Sequence, residues 1–292
     1  MVLLLQQLLS GLTTGAVYSL MALALVVIHQ TTHHLNLAQG EMATMSTFAA
    51  WQLLSWGFPY WAAFAVTLAV SFIAGAAIQR VIMHPLRAGS GFIQFAAMIG
   101  LFLVINSITN AVWGSIGRSF PSPFPARPLY EGAPISGQRL GIILIGLALV
   151  VFLTFLLRGT RLGLSLRATA ANPVSARLAG IAVGRMMMVG WGLAAAIGAA
   201  AGMLLAPIVA LDPQMMFNVL PFAFAAVVLG GVSSPLGAVV GGLVLGVVET
   251  LVTTFAPLIG RELKMSIVLA AILGILLVKP EGLFVRRTRA RL

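Results

Sequence analysis

The side chains best able to do chemistry in this sequence lie in one short run: His29, Gln30, Thr31, Thr32, His33, His34, Asn36, Gln39 and Glu41. Apolar residues flank the run, and polar groups among apolar helices are costly unless paired or wet. Two readings are open. The run lines a solute pathway or forms a switch element, or it is an interfacial loop hydrated by water. His29 and His33 are at i, i+4 spacing and could share a metal ion, but a metal site wants further ligands. No metal site is expected. Elsewhere, Asn106 and Asn110 fall on one helical face, where amides usually make hydrogen bonds between helices. Asp212 precedes Pro213 and reads as a turn. Glu249 sits near the end of an apolar span, where it either snorkels to the interface or serves the pathway.

Enzyme chemistry fails on inventory. The sequence holds one aspartate, so a paired-aspartate site cannot be assembled. HExxH and GxSxG patterns are absent, which removes metalloprotease and nucleophile-elbow chemistry. With no cysteine, disulfides, thiolate catalysis and cysteine-ligated zinc all go. Lys264 sits in LKM and Lys279 in VKP, neither in a phosphate-binding loop. The chain is expected to be no enzyme and to carry no cofactor. If ATP drives it, ATP and magnesium sit on another subunit.

The elements that must position these residues are membrane helices. Of 292 residues, 60% are hydrophobic and 8% charged, against roughly 25% charged in a soluble protein. So few charges cannot coat a soluble particle, whereas lipid covers apolar surface. The net charge of +11 sits in short loops and the tail without interleaved aromatics, so the expected neighbours are anionic headgroups and no nucleic acid. No basic stretch precedes the first apolar segment, which is therefore expected to stay rather than be cleaved.

About 20 helical residues cross the hydrocarbon core, which places spans near 5–28, 40–56, 60–80, 92–113, 140–158, 185–208, 218–256 and 264–280. The fold class expected is all-α: one polytopic membrane domain over 1–292, a bundle of about 8 spans with broken or re-entrant helices. GGVSSPLG at 230–237 breaks the seventh window, and HQTTHHLNLAQGE at 29–41 is an earlier break. Irregular backbone at membrane depth needs protein or a water-filled cavity over it, and one broken segment per half points to a transport site. Asn36, Gln39, Gly40, Glu41, Gly230, Gly231, Ser233 and Ser234 are the candidate pathway residues. Small-residue stretches at 192–202 and 237–246, with Gly237, Gly241 and Gly242, read as tight helix packing.

Twelve of the seventeen Lys and Arg fall in 80–91, 158–185 and 279–292, which should face the cytoplasm. Residues 281–292 then form a basic cytoplasmic tail. The other five lie at 261–264 and in 114–139, an external loop denied helix by Pro121, Pro123, Pro125 and Pro128 and expected to pack on protein. In the cytoplasmic loop 159–184, Asn172 suits an N-cap, Pro173 the first helical position and Gly180 a left-handed stop, which predicts a helix over 173–179. So short a helix needs outside support. Val174, Leu178 and Ile181 share a face, with Arg167 and Arg177 available to acidic partners; a partner subunit or the membrane surface would supply that support.

Taken together, the motifs resemble permeases of the branched-chain amino acid ABC transporter family, specifically the H-type membrane subunit of the Liv system. The resemblance runs from about Leu8 to Phe284. It rests on GLTTGAVYSLMALAL near the start, LNLAQGE at 35–41, QRVIMHPLR at 79–87, GLSLRATAANPVSARLAGI at 163–181, AAVVLGGVSSPLGAVVGGLVLG at 225–246 and KPEGLF at 279–284. It implies a permease of the bacterial cytoplasmic (inner) membrane that moves branched-chain or other small amino acids by alternating access. A second related permease, two cytoplasmic ATPases and a periplasmic substrate-binding protein are the implied partners.

By the same resemblance, Arg167, Asn172, Pro173, Arg177 and Gly180 match the coupling element that rests on the ATPase. Asn36, Ala38, Gly40 and Glu41 match the family's first break. Gln39 stands where the family usually has histidine, and Gln30 to His34 replace a glycine and mostly apolar residues. A more polar solute, urea or a short amide, is therefore an open alternative. From another class, so is an ion-coupled carrier or channel working through Glu41, Glu249 or the histidines.

Overall fold

The computed structural model describes residues 2–32, 34–128, 134–232 and 234–255, with the helical positions 266, 270, 274 and 277. His33, Ser233, residues 129–133 of the Pro-rich segment, most of the expected span 264–280 and all of the tail 281–292 lie outside the described residues.

The chain runs through α1 (Val2–Thr32), α2 (Gln39–Ser55), α3 (Tyr60–Ile78), α4 (Gly91–Trp113), α5 (Gly137–Gly159), α6 (Arg161–Ala171), α7 (Pro173–Leu178), α8 (Val183–Val209), α9 (Leu220–Gly230) and α10 (Pro235–Phe255). A π-helical turn, Gln79–Met83, extends α3, and a 3-10 turn, Pro85–Ala88, leads into α4. Among the described residues, six helices are long and apolar enough to cross a membrane: α1, α3 with its extension, α4, α5, α8 and α10. α2 and α9 are shorter, at 17 and 11 residues. At 1.5 Å per residue α9 reaches about 16 Å, half a bilayer. The protein is an all-α, multi-pass membrane bundle, and the broken window 218–256 is the half-helix α9 followed by α10.

α1 is the axis of the bundle. Every residue from Val17 to Ile28 is buried, as expected of a helix that is apolar all round. α8 is the second buried helix, with Trp191 at its heart. By contrast α3, α4 and α5 turn Ile73, Leu103, Val112, Val151 and Phe155 outward, and in a membrane protein that surface meets lipid. α10 carries two glycine faces. Gly237 and Gly241 lie against the α9 backbone at Gly230 and Ala226, while Gly242 and Gly246 lie against α1 at Ser19 and Gly15. A side chain at any of these contacts would hold the backbones apart.

The segment 161–171 departs from the sequence reading, which placed no helix there. α6 forms because the Thr160 hydroxyl accepts from the Gly163 amide at 3.2 Å and Leu166 and Thr169 are buried on one face. Arg161, Gly163 and Arg167 mask that pattern in the sequence. α7 ends at Leu178, and its caps are those expected: Asn172 Oδ1 accepts from the amides of Val174 and Ser175 at 3.0 Å, and Gly180 takes φ +79°.

Candidate functional site

The first break is built by side chains. Asn36 Oδ1 accepts from the Ala38 amide at 3.0 Å, which turns the chain from α1 into α2. Asn36 Nδ2 donates to Gln39 Oε1 at 3.3 Å, and Gln39 Nε2 reaches across to the Ala194 carbonyl of α8 at 2.9 Å. Gly198 makes room for that reach, since a Cβ there would lie 2.6 Å from Gln39 Nε2. The small-residue stretch of α8 thus receives α2. Asn36, Gln39 and Glu41 are all buried. Both amides are engaged within the protein, so they lock the break rather than present open donors to a solute.

Glu41 lies in the first turn of α2, where the helix dipole favours a carboxylate. Its Oε2 accepts from Asn106 Nδ2 at 3.0 Å. Asn110 Nδ2 donates in turn to Asn106 Oδ1 at 3.1 Å, and Ser115 Oγ to Asn110 Oδ1 at 3.1 Å. A line of polar groups therefore runs along α4 from the buried Glu41 toward the Pro-rich segment. Asn106 joins α4 to α2, as expected of an amide on that face, whereas the described bonds of Asn110 stay within α4 and reach Ser115 just after it. That Glu41 is the partner of Asn106 has no signal in the sequence.

The second break is built by backbone. Gly231 takes φ +94°, Ser234 Oγ accepts from the Gly237 amide at 3.1 Å as the cap of α10, and Pro235 opens that helix. Gly230 packs on Gly237, closing α9 and α10 into a hairpin. Gly230, Gly231 and Ser234 make no hydrogen bond to the first-break cluster among those described. The breaks meet instead across a cavity of about 390 Å³, lined by Leu35 and Leu37 from the first, Val232 from the second, and His29, His34 and Phe224. Among the described residues no group of three metal-binding side chains forms. A larger cavity, about 580 Å³, lies between α2, α3 and α4. Its wall is apolar (Met42, Leu101, Ile105) and relieved by the Ser46, Thr67 and Ser71 hydroxyls and by Gln52.

Two other polar groups take structural places. Glu249 Oε2 accepts from Tyr18 Oη at 2.5 Å, tying α10 to α1 rather than only snorkelling outward. Asp212 Oδ1 accepts from the Gln214 amide at 2.8 Å in the turn after α8. That turn is joined to the Pro-rich segment through Arg118 and Leu211. Arg118 also stacks over Trp51 at 4.3 Å and donates to the Trp113 carbonyl at 2.7 Å.

At the arginine-rich end, α6 and α7 form a ledge. Ala176 is buried against Val183 and Met187, with Ala168 and Ile181 beside them. The shared apolar face read from the sequence is therefore split. Ile181 packs inward, while Val174 and Leu178 are 66% and 86% exposed. Arg167 is exposed, its Nε 3.4 Å from the Gly163 carbonyl, and Arg177 turns to a pocket it shares with Arg87 and Gln79. The sequence reading gave no role to Arg87 beyond orientation and none to Gln79, a polar residue closing an apolar span.

Residues 7–278 match the family described as "Branched-chain amino acid transport system / permease component". The high-affinity branched-chain amino acid transport system permease protein LivH of Salmonella typhimurium is 28% identical, over 97% of this chain and 96% of that protein. The high-affinity branched-chain amino acid transport system permease protein BraD of Pseudomonas aeruginosa is also 28% identical, over 97% of this chain and 96% of that protein. The fructose import permease protein FruF of Bifidobacterium longum is 24% identical over 85% of this chain and 70% of that protein. No solved structure matches the chain. The match over nearly the whole length, on an all-α membrane bundle broken at two points, means that the chain belongs to the family of branched-chain amino acid transport system permease components.

Proposed function

We propose that this chain is the membrane subunit of an ATP-driven importer that moves branched-chain or other small apolar amino acids by alternating access. The observation that carries the reading is the meeting of two helix breaks at one cavity in a chain of the permease family. Rocking of one bundle against another needs a joint, and the connection between α1 and α2 supplies one. The cavity between α2, α3 and α4, apolar with a few hydroxyls, suits a branched aliphatic side chain better than urea or a short amide. The relatives named for branched-chain amino acids support the same choice.

In this reading the arginine-rich end faces the cytoplasm of a bacterial inner membrane. Two ATPase subunits there bind ATP and magnesium, and the exposed Val174 and Leu178 of α7 give them an apolar ledge to grip. A second related permease completes the pore, and a substrate-binding protein delivers solute from outside. Reconstitution tests this. Leucine uptake into proteoliposomes should require the ATPases, the binding protein and ATP, and the isolated chain should neither hydrolyse ATP nor transport. Uptake by the isolated chain under a pH gradient would establish an ion-coupled carrier instead. Better competition by urea than by isoleucine would move the solute to the amides. Leu178→Asp should abolish co-purification with the ATPase at unchanged thermal stability, and normal co-purification would remove α7 from the coupling role.

A further inference from the structure

At the arginine-rich end, a pocket of about 280 Å³ opens where the π-helical turn after α3, the 3-10 turn, α7 and the start of α8 converge. Its polar lining is Gln79, Arg87, Gln94, Arg177, Thr32 and His34. Gln79 is 1% exposed, yet among the described residues neither its Nε2 nor its Oε1 has a hydrogen-bond partner. One terminal nitrogen of Arg87, Nη2, is likewise buried and unpartnered. Buried side-chain polar groups are overwhelmingly paired in folded proteins, so two such donors on one pocket ask for a ligand that accepts.

Charge points the same way. The described acids are Glu41, Asp212 and Glu249, and none lines this pocket. Burial, and then the positive charge of Arg177, press against the charged form of the Arg87 guanidinium. A guanidinium does not give up its proton in a protein, so the strain is relieved by an anion instead. On the same stretch of chain Val81 and Phe92 are 70% and 77% exposed, placing the pocket beside surface that meets lipid.

We propose that this pocket binds the oxyanion of a phosphate group, held by the guanidiniums of Arg87 and Arg177 and by the Gln79 amide Nε2. The phosphate is that of an anionic phospholipid headgroup or of a free phosphate ion; the recognition chemistry is shared. Guanidinium forks match phosphate oxygens bidentately. Because Arg177 is on α7 and Arg87 on the turn between α3 and α4, occupancy adds a second tie between the bundle and the α6–α7 ledge, which Ala176 already packs on α8. The site stands apart from the transport reading, since its test needs no solute and no ATPase.

The full-length chain serves for the test. Native mass spectrometry after release from phosphatidylcholine vesicles with or without phosphatidylglycerol reads headgroup retention. Equilibrium dialysis in lipid-depleted detergent against inorganic phosphate reads the free ion. Wild type should retain one of the two probes, and Arg87→Gln and Arg177→Gln should each weaken retention about tenfold or more, the loss of one charged hydrogen-bond pair. Arg185→Gln, in the first turn of α8 but off the pocket lining, should leave it unchanged. Gln79→Glu keeps both arginines and supplies a resident carboxylate, so it should abolish retention while raising the unfolding midpoint, whatever becomes of the arginine variants. Retention of phosphatidylglycerol alone assigns a headgroup; retention of inorganic phosphate assigns the free ion. Equal retention by wild type and Gln79→Glu, or retention of neither probe, overturns the proposal. So does binding that appears only in Glu281→Gln, which would make the chain's own tail the occupant.

Discussion

The two helix breaks solve one problem by opposite means. Between α1 and α2, side chains hold the break: Asn36 turns the chain, Gln39 reaches α8 and Glu41 reaches α4. Between α9 and α10 the backbone closes on itself through Gly230 and Gly237, with Ser234 as the cap. A break held by side chains transmits displacement to the helices it touches. A break held by glycine contact ties its own two helices together, and here α10 is also packed on α1 through Gly242 and Gly246. The difference ties α2 to α8 and α4 by side-chain hydrogen bonds, and α10 to α9 and α1 by close backbone packing.

The largest test of this contrast is Gly230→Ala. Its Cβ would collide with the backbone of Gly237 and Ala238, where no flexible side chain can yield. Overpacking of this kind costs about 3 kcal/mol, so thermal unfolding in detergent should show a sharp fall in midpoint and in monodisperse yield. An unchanged midpoint would mean that the hairpin is not held by close backbone contact.

How far these features were legible in the sequence follows from the same contrast. The second break was legible because glycine, serine and proline write backbone geometry directly: GGVSSP gives the left-handed Gly231, the cap and the first helical proline in order. Asn172, Pro173 and Gly180 were readable for the same reason, and hydropathy located the six long spans. The first break was legible in position but not in pairing. Glu41 finds Asn106 across 65 residues and Tyr18 finds Glu249 across 231, and no local pattern encodes a partner that far away. α6 was missed because arginines interrupt its short apolar stripe. Gln79 and Arg87 went unread because what marks them, a buried amide and a buried Nη2 without partners among the described residues, only three dimensions reveal.

A middle-sized effect should separate fold from transport at the first break. Asn106→Ala strips Glu41 of its amide donor and leaves a buried carboxylate, at about 2 kcal/mol. Glu41→Gln keeps shape and hydrogen-bonding capacity but removes the charge, so assembly should be nearly intact while uptake kinetics of the reconstituted importer change. Unaltered kinetics in Glu41→Gln, beside a destabilised Asn106→Ala, would make Glu41 a packing device and narrow the difference between the breaks to architecture.

The smallest effects sharpen the comparison most, because they ask whether each break is a network or a single bond. Ser234→Ala removes one cap and should cost about 1 kcal/mol or less. Asn36→Ala removes both the Ala38 turn and the bond to Gln39, so it should cost more, about 1–2 kcal/mol. It should also be non-additive with Gln39→Leu, since the two residues share a bond. Ser234→Ala has no partner in the first break, so combined with Asn36→Ala the costs should sum within about 0.5 kcal/mol. Unfolding midpoints of the single and double variants measure both cycles. An interaction energy between Ser234 and Asn36 as large as that between Asn36 and Gln39 would mean that the shared cavity couples the breaks into one network.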